Sequence, residues 1–166
     1  MRQATLSSVA RAIFSLFLPL HGLHSNRRNV SDWRLWQREG RMSLSVFVIE
    51  GDPTVAGFLV EVFSQQGWDV CVPRNGTGVA VTLLGDRRFD LITVSYRFPP
   101  TNGVEIIRLI RELEHRKETP VLMLTGGPDM TAEALAAGAN EVLYKPIAPG
   151  CLVAAVFRHS SSPVAP

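Results

Sequence analysis

From Leu44 onward the chain switches repeatedly between two apolar periods, one suited to strands and one to helices. Ser45–Ile49 is a β-branched and aromatic run that predicts a buried strand. Pro53 to Gln66 changes to helical spacing, with Val55, Phe58, Leu59, Val62 and Phe63 on one side, Pro53 in the first turn and Gly67 as the stop. Trp68–Val72 predicts a short second strand, and Thr77–Leu84 a second helix presenting Val79, Ala80, Leu83 and Leu84. Phe89–Val94 predicts a third strand that delivers Ser95 at its end. Gly103–Lys117 predicts a third helix that buries Ile106, Ile107, Ile110 and Leu113 and turns Arg108, Arg111, Glu112 and Glu114 to solvent. Pro120–Thr125 predicts a fourth strand, and Met130–Ala137 a fourth helix capped near Asp129. Glu141–Tyr144 predicts a fifth strand, and Pro149–His159 a last helix with Leu152, Val153, Val156 and Phe157 facing inward.

Strands that alternate with helices at these short intervals predict an α/β fold: a five-stranded parallel sheet, doubly wound, with helices on both faces. In such a sheet the functional crevice lies beyond the carboxyl ends of the strands. The residues to inspect are therefore Glu50, Gly51 and Asp52 after the first strand, Ser95 after the third, Thr125 after the fourth and Lys145 after the fifth.

Composition changes the picture mainly at the amino end. Residues 1–41 carry seven arginines against Asp32 and Glu39, a net of +5, whereas residues 42–166 carry ten basic and thirteen acidic side chains, a net of −3. The chain therefore divides into a basic extension (1–42), a folded domain (43–159) and a tail (160–166) expected to be disordered. Three readings of the extension stay open: a disordered arm or a start placed upstream of the true Met42, a short amphipathic element that contacts a membrane surface, or a targeting segment. Its apolar stretch from Ala10 to Leu23 is broken by Arg11 and Pro19 and is too short to span a membrane. Cys71 and Cys151 have neither disulfide nor zinc spacing, which suits a cytoplasmic location. The acidic balance of 42–166 argues against nucleic acid as a partner.

Glu50, Ser95, Thr125 and the pair Lys145-Pro146, framed by Pro53, Pro99 and Gly103, resemble the receiver domains of bacterial response regulators. The resemblance covers residues 44–158 and implies the strand order 2-1-3-4-5. It also implies a chemistry. In the family an aspartate at the position of Ser95 accepts a phosphoryl group, an acid pair at Glu50-Gly51 helps hold magnesium, and Thr125 and Lys145 stand at the phosphate-sensing positions. The aromatic that normally switches rotamer falls on Val142, with Tyr144 two places later on the same side of the strand.

This chain departs from that pattern at three points. Ser95 offers a protonated hydroxyl that needs a general base before it can attack phosphorus. Gly51 removes one acid, so Glu50 and Asp52 form a residual acidic pocket able to hold magnesium only weakly. Val142 has no ring to move. The stretch from Thr125 to Lys145 is also short for the family, which places a deletion near Gly126-Gly127-Pro128. No catalytic residue and no firm cofactor are expected.

These losses lead to the expectation of a stand-alone, degenerate receiver that acts by protein–protein contact without phosphorylation. Its partners would be a histidine kinase, a phosphotransfer protein or a downstream effector. One alternative is a non-accepting competitor docked on a kinase or phosphotransfer protein. Another is a small-ligand binder, against which stands the acidity of Glu50-Gly51-Asp52-Pro53, expected to repel phosphate.

Overall fold

The computed structural model describes residues 44–160. The expectations for residues 1–42 and for the tail beyond Ser160 lie outside the described residues.

The strands are β1 (Ser45–Ile49), β2 (Asp69–Cys71), β3 (Leu91–Ser95), β4 (Val121–Thr125) and β5 (Glu141–Tyr144). Between and after them run α1 (Pro53–Gln65), α2 (Gly76–Leu84), α3 (Gly103–Glu112), α4 (Thr131–Ala136) and α5 (Pro149–His159). All neighbouring pairs are parallel, and the order across the sheet is β2-β1-β3-β4-β5. A two-residue hairpin, Arg97–Phe98 with Thr101–Asn102, follows β3.

Strand alternation sends successive side chains to opposite faces. Phe47, Ile49, Ile92, Val94, Val121 and Met123 pack with α2, α3 and α4, while Val46, Val48, Leu91, Leu122 and Leu124 pack with α1 and α5. Both faces are covered, so the central strands read as continuous apolar runs. Among the described residues, no helix is long and apolar enough to cross a membrane.

Several boundaries differ from expectation, each for a local reason. β2 loses Trp68 and Val72, because only residues 69–71 pair with β1. The third helix stops at Glu112 instead of Lys117, since Leu113 turns extended (φ −84°, ψ 112°) and remains buried. The turns that follow bring Arg116 inward, where it is 1% exposed. Its guanidinium donates to the carbonyls of Thr82 (3.2 Å), Leu83 (3.3 Å) and Gly85 (2.6 Å), satisfying the end of α2.

Arg111, expected in solvent, instead donates to the carbonyls of Gly138 and Thr119 and to Asn140 Oδ1. Leu84 and Phe157, expected inward, are exposed; Ala155 takes the buried place on α5. Asp129 caps nothing in α4, which is preceded by a 3₁₀ turn at Pro128–Met130 and has no side-chain cap.

Candidate functional site

Ser95 is the last residue of β3 and is 2% exposed. Its backbone is held from below by Gly103: a Cβ there would lie 2.6 Å from the Ser95 carbonyl oxygen, so only glycine lets α3 start this close. The Gly103 amide donates to the Tyr96 carbonyl at 2.8 Å. Ser95 shares its strand face with Leu91 and Thr93, the same side that packs on α1 and α5.

Lys145, just beyond β5, reaches across the strand ends. Its ammonium donates to Glu50 Oε2 at 2.6 Å and to Ser95 Oγ at 3.1 Å. The Glu50 side chain is 2% exposed, and its other oxygen, Oε1, accepts the Asp52 amide at 3.0 Å. Lys145 therefore fills the centre of the crevice with its own positive charge, and both oxygens of the neighbouring carboxylate are engaged.

The structure brings together Glu50, Ser95 and Lys145; Asp52 adjoins them through its amide, but its carboxylate is not shared with that of Glu50 as the sequence suggests. Asp52 is exposed and caps α1, its Oδ1 accepting the amides of Thr54 (2.8 Å) and Val55 (3.1 Å). Those helix-end amides need an acceptor, and they lower the Asp52 pKa from its ordinary value. Thr125, buried at the end of β4, offers its backbone carbonyl to the Lys145 amide at 2.7 Å. Its strand face is that of Val121 and Met123, opposite to the face carrying Ser95.

Val142 packs into the core beneath α3 and α4. Tyr144 lies outward, and its hydroxyl shares a 2.8 Å hydrogen bond with Thr131 Oγ1, joining β5 to the first turn of α4. Nothing in the hydrophobic pattern announced that bond. Among the described residues, no group of three or more His, Cys, Asp or Glu side chains is arranged to hold a metal ion.

A family model described as the response regulator receiver domain matches residues 46–157. The chain belongs to this family. The receiver is 27% identical over 121 residues to the phosphate regulon transcriptional regulatory protein PhoB of Pseudomonas aeruginosa, covering 70% of this chain and 52% of that protein. It is 31% identical over 117 residues to the DNA-binding response regulator MtrA of Mycobacterium tuberculosis, covering 69% and 50%. The chain thus spans about half the length of these curated relatives. Among solved structures, the chemotaxis protein CheY4 of Vibrio cholerae superposes with a TM-score of 0.64 at 26% identity, over 70% of this chain and 98% of that one. The fold and the place in two-component signalling follow from these matches.

Proposed function

We propose that this receiver acts in two-component signalling by contact with a protein partner, without accepting a phosphoryl group. The observation that carries the reading is the Lys145 ammonium, seated on Glu50 at 2.6 Å and on Ser95 at 3.1 Å. Aspartyl phosphorylation needs a carboxylate nucleophile and a divalent cation that neutralises the phosphoryl oxygens. Here the nucleophile's position holds a hydroxyl, and the adjacent lysine donates to it, so it cannot serve as its base.

The donor set does not fit a resident magnesium ion either. Glu50 is committed to Lys145 and to an amide, Asp52 to the start of α1, and Gly51 and Ser95 bring no carboxylate. Switching a receiver from mostly one surface state to mostly the other takes about 5 kcal/mol of differential stabilisation. An internal ion pair present in both states supplies none of it. The surface formed by α4, β5 and α5 is then held in one state, with the Tyr144–Thr131 hydrogen bond as a fastening and Leu135 and Tyr144 exposed for contact. The domain acts as a signalling module with no catalytic turnover of its own.

A competitor role has one observation in its favour: α1 exposes Phe58 and carries a single charged residue, Glu61, leaving an apolar ridge for a helical partner. Both roles require a vacant phosphoryl chemistry, and a restoration series tests it. With acetyl phosphate and magnesium, the native chain and Ser95→Asp should remain essentially unlabelled, whereas Ser95→Asp combined with Gly51→Asp should gain an acid-stable, base-labile phosphate. Labelling of the native chain overturns the proposal.

A further inference from the structure

Beside the Glu50–Ser95–Lys145 cluster, and sharing Glu50 with it, opens a cavity of about 250 Å3 that runs from Gly51 away from Ser95 and Lys145 toward the loop before α2 and the hairpin. Its walls include Gly51 and Glu50 at the end of β1, Pro73 and Arg74 before the start of α2, and Phe98 and Pro99 from the hairpin. We propose that this cavity is a binding site for a small organic anion with a flat apolar body, held by Arg74. The proposal goes beyond the partner-contact reading and stands whether or not Ser95 can take a phosphoryl group.

The site owes its space to Gly51. A Cβ built on that residue would lie 3.5 Å from the Arg97 carbonyl oxygen and 3.6 Å from Phe98 Cδ2, which are ordinary contacts. The backbone there has no positive φ. Neither crowding nor conformation demands glycine, so the missing side chain is what leaves the cavity open.

The charge balance of the walls selects the ligand. The sequence alone sets acidic Glu50 and Asp52 against any anion, and the structure weakens both objections. Glu50 is paired with Lys145 at 2.6 Å, and the Asp52 carboxylate, which is not part of the cavity wall, is occupied by the amides at the start of α1. Arg74 has no hydrogen bond or ion pair with any of the described residues, so the uncompensated charge on the wall is positive. A guanidinium prefers planar oxyanions, which it can grip with two parallel donors. Pro73, Phe98 and Pro99 supply apolar surface for the rest of the molecule. The volume falls below the roughly 300–1,000 Å3 of drug-sized sites, which limits the body to about one ring.

Benzoate is a direct probe, with benzyl alcohol as its uncharged counterpart, titrated into the full chain while amide shifts are followed by NMR. The expected result is saturable shifts at Gly51, Arg74 and Phe98 with benzoate, and binding at least about tenfold weaker with benzyl alcohol. Arg74→Gln, at an exposed position, should lower benzoate affinity about tenfold while sparing the fold. Gly51→Leu should abolish binding by filling the space, while Gly51→Ala retains most of it. Shifts that never saturate, or saturable shifts indifferent to Arg74→Gln and Gly51→Leu, overturn the proposal. Phosphate labelling of the native chain would remove the partner-contact reading and leave this one standing.

Discussion

Two cations, one buried and one partly buried, sit at opposite ends of this sheet, and they are held in different ways. At the amino ends of the strands, Arg116 is nearly inaccessible and meets only backbone carbonyls, those of Thr82, Leu83 and Gly85, with its guanidinium 5.2 Å from the Phe89 ring. At the carboxyl ends, Lys145 is about a quarter exposed and meets two side chains, Glu50 and Ser95. The first arrangement finishes a helix, because its acceptors are the carbonyls at the end of α2. The second fills a crevice whose acceptors are side chains and whose occupant sits at a position that responds to phosphate in the family. The difference teaches that a charge held by main-chain carbonyls is tied to the fold, whereas one held by side chains depends on which residues stand at the strand ends.

Substitution separates the two. Arg116→Ala should cost about 3 kcal/mol in urea unfolding, since it strands carbonyls of α2 and opens space beside Phe89. Arg116→Met should recover part of the loss by restoring the packed stem. Lys145→Met should cost about 2 kcal/mol, less than a fully buried pair would, because water reaches the ammonium although Glu50 is only 2% exposed. The companion Glu50→Gln with Lys145→Met should recover most of that loss, a result not expected for any partner change around Arg116.

The smallest effect belongs to the solvated cluster at the start of β5. Arg158 above all, opposed by partial burial and helped by His159, holds the Glu141 carboxyl below its ordinary pKa. A lowered folded-state pKa means that this contribution is present above the ordinary carboxylate range and fades as pH falls through the lowered value. Glu141→Gln should therefore cost about 0.5 kcal/mol at neutral pH, and the difference from the native chain should vanish in acid.

Whereas the order across the sheet came from the resemblance to receiver domains, the strands and the positions at their ends were legible because buried parallel strands are marked by apolar runs, and strand ends by the residues that follow them. Ser95 and Lys145 stood out for that reason. The end of α3 was not legible: the spacing of apolar residues runs on past Glu112, and nothing local shows that Leu113 turns extended while Arg116 folds inward. The cap made by Asp52 is hard to see because an acid next to a site and an acid capping a helix look alike, although Asp-Pro before an apolar run is itself a cap signal. The bond between Tyr144 and Thr131 depends on tertiary placement alone.

The most direct measurement of the central claim is the response of the native chain to beryllofluoride and magnesium, followed through the amide resonances of Ser95, Tyr144 and Lys145. The account predicts no saturable shift at any of the three, with the α4–β5–α5 surface unchanged. Saturable shifts at Ser95 and Lys145 that propagate to Tyr144 would contradict it.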